Sequence, residues 1–117
     1  MKRIKVLELG SGRRPLILKD RDIRIVHLDI AKLPHIEVVH DLETVPWPFE
    51  DEEFDIVIAF HVLEHLKNVI DAMEEIRRIL KPYGCVVIKV PYFRHWTAYL
   101  DPTHKRFFTL QTFDSVS

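Results

Sequence analysis

An acid, two glycines and two further acids are the residues best placed to do chemistry in this chain. Val6-Leu7-Glu8-Leu9-Gly10-Ser11-Gly12 sets Glu8 two positions before Gly10, with Gly12 two positions after it. Glycines let a backbone turn tightly and approach a ligand closely. A carboxylate just before such a turn can hold a cationic or hydrogen-donating group. Asp29, 19 positions after Gly10, can accept hydrogen bonds from both hydroxyls of a ribose. Asp41 can accept from an exocyclic amine or a backbone amide. His61 directly follows an apolar run. His61-Val62-Leu63-Glu64-His65 also matches an inverted zinc-protease pattern, with two His at i and i+4 and a Glu between them. Its position directly after a buried run argues against that use, and no metal is expected.

These residues need elements to carry them. Lys5–Leu9 reads as a buried strand meeting the glycine turn. Ile23–Ile30 and Ile36–His40 read as second and third strands, ending near Asp29 and Asp41. Phe54–Phe60 is nearly all apolar, as a central parallel strand buried on both faces should be. Cys85–Val90 is a fifth strand, stopped by Pro91. The spacing predicts a helix over Asn68–Leu80, with Val69, Met73, Ile76 and Leu80 on one face. Asn68 can cap it, acids sit early and bases late, and Pro82 and Gly84 stop it. Strand, helix, strand is a βαβ unit, so the architecture is an open α/β sheet. The polar and glycine positions follow the strands at their carboxyl ends, where such sheets bind ligands.

The ordered set resembles the class I S-adenosylmethionine-dependent methyltransferases, particularly the type 11 small-molecule group. The resemblance continues through His40-Asp41-Leu42, Val45-Pro46-Trp47-Pro48-Phe49, Glu53-Phe54-Asp55, Leu63-Glu64-His65-Leu66, Arg78-Ile79-Leu80-Lys81-Pro82 and Tyr83-Gly84. It spans roughly Val6 to Pro91. It implies a Rossmann-like, mostly parallel sheet with S-adenosylmethionine as cofactor. Glu8, Gly10 and Gly12 would line the methionine side, Asp29 would bind the ribose, and Ile30 would pack on the adenine. Asp41 and Leu42 would contact the adenine edge, while Phe60 and His61 would lie beside the transferred methyl group. His61, His104 and Tyr92, in that order, are the candidate bases if the acceptor must lose a proton. The segment from Pro91 to Arg106 is the candidate acceptor region. Trp47 and Phe49 are expected to pack rather than to hold substrate, and His27, His35 and His40 to be sheet or loop residues.

Two departures stand out. The family's third loop glycine falls at Arg14, before Pro15, and so few residues separate Gly12 from the second strand that the first crossover helix must be short or missing. At the other end, five strands are expected, with the family's sixth and seventh missing and Thr109–Phe113 opening a helix. The chain is then apparently truncated, and the fifth-strand edge, Val86–Val90, lacks a neighbour and invites a second copy to form a homodimer, the alternative being that the chain's own tail folds back over that edge.

Composition narrows the classes. The chain has 117 residues, 47% hydrophobic and 30% charged, with net charge -1, which suits one globular domain over 1–117 and excludes a disordered tail. Net charge is +5 over residues 1–24, -11 over 37–75 and +5 over 76–117. These read as solvated faces, and no nucleic-acid partner is expected. Cys85 alone excludes an internal disulfide. No targeting or spanning segment is visible, so a cytoplasmic location is expected. The expected partner is a small-molecule methyl acceptor. The alternatives are a cofactor-binding or assembly module without catalysis, and a nicotinamide-binding domain. The latter would share Asp29 but would leave Glu8 and Pro46–Asp55 unexplained.

Overall fold

The computed structural model describes residues 3–10, 12, 15–91 and 107–113. The sheet has the strand order β3-β2-β1-β4-β5-β6, and its pairings are parallel. The strands are β1 (Ile4–Leu9), β2 (Ile23–Asp29), β3 (Val38–Val39), β4 (Phe54–Phe60), β5 (Leu80–Pro91) and β6 (Phe107–Phe113). One helix, α1 (Val69–Ile79), and one 3-10 turn, Leu63–His65, lie between β4 and β5. This is the expected Rossmann-like α/β sheet. Among the described residues no helix lies between β1 and β2, and none is long and apolar enough to cross a membrane.

The core follows the apolar runs. In β1, Val6, Leu7 and Leu9 are buried, and in β4, Phe54, Val57, Ile58 and Ala59 are buried. Consecutive buried residues on a strand require cover on both faces, which fits the central places of β1 and β4. Helix α1 covers one face with Ala72, Ile76 and Ile79, while Val69 and Met73 pack against the same cluster. Its start is set by Asn68, whose Oδ1 accepts from the Asp71 amide at 3.1 Å.

The helix stops one residue before the expected end. Pro82 disfavours a helical Lys81, and Leu80 already has φ -82° and ψ 139°. Leu80 therefore opens β5, opposite Phe54. The next paired residues are Ile56 and Cys85, so Lys81–Gly84 bulges out of the ladder around Asp55. A Cβ on Gly84 would stand 2.8 Å from the Lys81 carbonyl oxygen and 3.2 Å from that of Asp55. Glycine is needed there for space.

The sheet corrects the expected strand count. It has a sixth strand, and Thr109–Phe113 belongs to it instead of opening a helix. Phe107, Phe108, Phe113, Thr109 and Thr112 are aromatic or β-branched residues that suit a strand. β6 runs beside β5 from Cys85↔Phe107 to Pro91↔Phe113. The β5 edge is thus covered within the chain, which removes the ground for expecting a second copy to pair there. The third strand is also shorter than expected, although the Glu37 and His40 amides still bond to the β2 carbonyls of His27 and Asp29.

At the amino ends of β4 and β5, Arg78 ties the helix to the 47–51 segment. Its guanidinium donates to both Glu75 carboxylate oxygens, to Asp51, and to the carbonyls of Trp47 and Phe49, at 2.8–3.1 Å. The bond from Arg78 holds the Glu75 carboxyl below its ordinary value, with the Trp47 amide adding to the effect against the opposing cost of burial. The same pairing holds Arg78 in its charged form. Trp47 is 2% exposed, and its indole N–H donates to the Leu42 carbonyl at 3.1 Å. It is a packing residue, as expected.

Candidate functional site

The carboxyl ends of β1, β2 and β4 bring the candidate residues to one edge. Glu8 is 6% exposed and faces β2, paired in register with His27. Its Oε1 accepts from the Leu16 amide at 2.9 Å and stands 2.9 Å from His27 Nδ1. The carboxylate therefore ties the irregular segment that follows the glycine turn to the neighbouring strand.

Gly10 and Gly12 both need left-handed backbone, at φ 65° and 62°, but for different surroundings. A Cβ on Gly10 would lie 2.5 Å from a methyl carbon of Val62. The vacancy at Gly10 is thus filled by the loop after β4. A Cβ on Gly12 would find its nearest atoms at 3.9 and 4.0 Å, so its surroundings are open. The Gly12 amide donates to Asp29 Oδ2 at 2.6 Å, and its carbonyl accepts from His35 Nε2 at 2.6 Å. Asp29 Oδ1 also accepts from the Ala31 amide at 3.2 Å. Beside Asp29, Ile30 is 65% exposed, an unusual amount for its type.

His27 and His35 meet edge to face, with ring centroids 5.9 Å apart. Sequence reasoning treated both as sheet or loop residues and missed their part in the loop. Alternation along β1 and β2 held a signal for His27, since register sets it beside Glu8. His35 had no comparable signal, because its contact with Gly12 depends on the loop between β2 and β3.

Asp41 is exposed, and its Oδ1 accepts from the Glu43 amide at 2.9 Å. Leu42 packs into the core, and its carbonyl receives the Trp47 indole. On the far side of β1, Phe60 is half-buried with Lys89 Nζ 4.8 Å from its ring centroid. His61 has φ 58°, and its amide donates to the Lys89 carbonyl at 2.7 Å. Its side chain is 42% exposed. The structure therefore brings together Glu8, Gly10, Gly12, Asp29 and Ile30, and sets the His61 loop against Gly10 through Val62. Tyr92, His104 and Arg14 lie outside the described residues. Among the described residues, no group of three or more His, Cys, Asp or Glu is arranged to hold a metal ion.

The sequence profile of a methyltransferase domain family matches residues 7–88. An uncharacterized protein of Methanocaldococcus jannaschii is 34% identical over 92 residues, covering 73% of this chain and 40% of that protein. A Mycolicibacterium smegmatis protein named as a probable S-adenosylmethionine-dependent methyltransferase is 30% identical over 99 residues, covering 74% and 37%. The chain thus spans about two-fifths of the length of these relatives. A solved structure from Methanococcus maripaludis, described as a candidate S-adenosyl-L-methionine-dependent methyltransferase, superposes with a TM-score of 0.64 at 24% identity, covering 79% of this chain and 50% of that one. That likeness extends the agreement to the fold.

Proposed function

The chain belongs to the class I S-adenosylmethionine-dependent methyltransferase family, and from that membership we propose that it binds S-adenosylmethionine along the carboxyl edge of β1, β2 and β4 and methylates a small-molecule acceptor. The observation that carries this reading is the Gly12–Asp29 pairing. It forms an open left-handed turn closed onto a carboxylate, with an exposed apolar side chain next to it.

The residues fit the cofactor. Each Asp29 oxygen takes one backbone N–H, and a carboxylate has about four lone-pair sites, so capacity remains for a ribose diol. Ile30 offers an apolar face for a base, and Asp41 an acceptor for an amine. Glu8 shapes the methionine side from behind, by holding Leu16 and His27. Bound S-adenosylmethionine supplies a methyl group already activated on a cationic sulfur. The protein's task is then mainly alignment for an in-line displacement. His61, His104 and Tyr92 remain the candidate bases for an acceptor that must lose a proton.

Calorimetric titration with S-adenosylhomocysteine tests the reading. Asp29→Ala is expected to weaken binding about tenfold to a hundredfold, the equivalent of roughly 1.5–3 kcal/mol. Unchanged affinity would remove Asp29 from the ribose site. Absence of binding by the parent chain would overturn the proposal.

A further inference from the structure

The loop after β4 holds a group that the proposed cofactor site does not use. Glu64 has its side chain 3% exposed, and among the described residues its Oε1 has no hydrogen-bond partner. A buried carboxyl oxygen without a partner is costly, and in a folded protein it calls for a reason. It has little freedom to reach water. Leu63 beside it is 1% exposed, and the 3-10 turn is closed by the His65 amide on the Val62 carbonyl and the Leu66 amide on that of Leu63.

The other oxygen, Oε2, stands 3.9 Å from His61 Nδ1 and 3.8 Å from His65 Nε2. The two imidazoles differ in setting. The His65 side chain is 71% exposed. His61 is fixed at the strand end by its amide bond to Lys89 and by a left-handed φ that is strained for a residue with a Cβ. Its neighbour Val62 fills the space at Gly10. The distance to His61 exceeds a hydrogen bond by about 1 Å, and such bonds at reacting groups often tighten only when the site is filled.

We propose that Glu64 is the positioning residue of His61: its buried carboxyl group keeps the imidazole proton on Nδ1, so that Nε2 is the unprotonated nitrogen, the one able to take a proton from the methyl acceptor. This rests on the reading of His61 as the base. In the step it serves, the proton of the acceptor X–H passes to Nε2. The X–C bond forms with the electron pair so released, and the donor C–S pair returns to sulfur. A carboxyl group on one ring nitrogen selects the tautomer in which that nitrogen carries the proton.

Nitrogen-15 correlation spectra of the full chain test this without knowledge of the acceptor, with His61 and His65 assigned from His61→Gln and His65→Gln. At a pH where the ring is neutral, His61 is expected to show a protonated Nδ1 and a bare Nε2. Glu64→Met should return it to the Nε2–H form that free histidine favours. A bare Nδ1 in the parent chain, or a pattern unchanged in Glu64→Met, would overturn the proposal. The parent spectrum decides even if the variant does not fold. Titrating the same sample with S-adenosylhomocysteine separates the two readings. Unmoved Gly12 and Ala31 amides would sink the cofactor site while leaving the Glu64–His61 pair as measured.

Discussion

The two ends of helix α1 treat polar groups in opposite ways. At the amino ends of β4 and β5, Arg78 meets two carboxylates and two carbonyls, and Glu75 also takes the Trp47 amide. At the carboxyl end of β4, the buried Glu64 has one oxygen without a partner among the described residues and the other beyond bonding distance of two histidines. The first arrangement fixes a loop, since its groups satisfy one another. The second leaves bonding capacity beside the proposed methyl-transfer position. The segment beyond one end of α1 is thus tied down by its polar groups, while the turn before the other end holds one in reserve.

The sharpest way to break this contrast is to cut the satisfied end. Arg78→Ala should destabilise by roughly 2–3 kcal/mol, because it strands the partly buried Glu75 and two carbonyls. Denaturant unfolding measures the loss, and affinity for S-adenosylhomocysteine in the protein still folded should be unchanged. A loss comparable to a surface substitution would show that the cluster is not structural.

The other end should respond with the opposite sign. Glu64→Met replaces a buried, incompletely bonded carboxyl group by an apolar side chain of similar length. It should raise stability by roughly 1–2 kcal/mol. A clear destabilisation would mean that Glu64 is bonded in the folded protein as thoroughly as Glu75.

Acid gives the smallest and most selective readout. The Glu75 carboxyl, bonded to Arg78, lies below its ordinary value of 4.5 in the folded chain. Glu53 is also lowered: burial opposes the shift, but the bond from Lys5 Nζ, the Glu50 amide and the nearby positive charges outweigh it. Their contribution is complete above the unfolded value and is lost as pH falls through the lowered folded values. Unfolding free energy should therefore decline in that acid window, and less steeply in Arg78→Ala. Equal slopes for the two proteins would disconnect the linkage from this cluster.

How much was legible in the sequence depends on how local the cause was. β1, β4 and the Asn68 cap were readable because apolar runs and a capping side chain act over a few residues. The glycine turn and Asp29 were readable because each sits at a strand end. The helix terminus was misplaced by one residue, since the constraint that Pro82 puts on Lys81 spreads to Leu80. β6 was missed because a strand is defined by its partner: Phe107–Phe113 carries aromatic and β-branched residues, but only β5 gives them a ladder. Glu64 was legible as part of a metal pattern and of a family segment, but not as a buried carboxyl group. Its side chain is 3% exposed, and no spacing rule reveals that.

The contact between Gly10 and Val62 also constrains how this sequence can vary. A methyl carbon occupies the space that any side chain at position 10 would need. Position 62 can lose bulk only at the expense of its packing on the core, while position 10 is held twice over, by that methyl carbon and by its left-handed φ of 65°. Among descendants of this chain the two positions should drift as a pair, and in a fixed order of events. An alanine at 10, strained at φ 65° whatever the room, should be found only in company with a residue shorter than valine at 62.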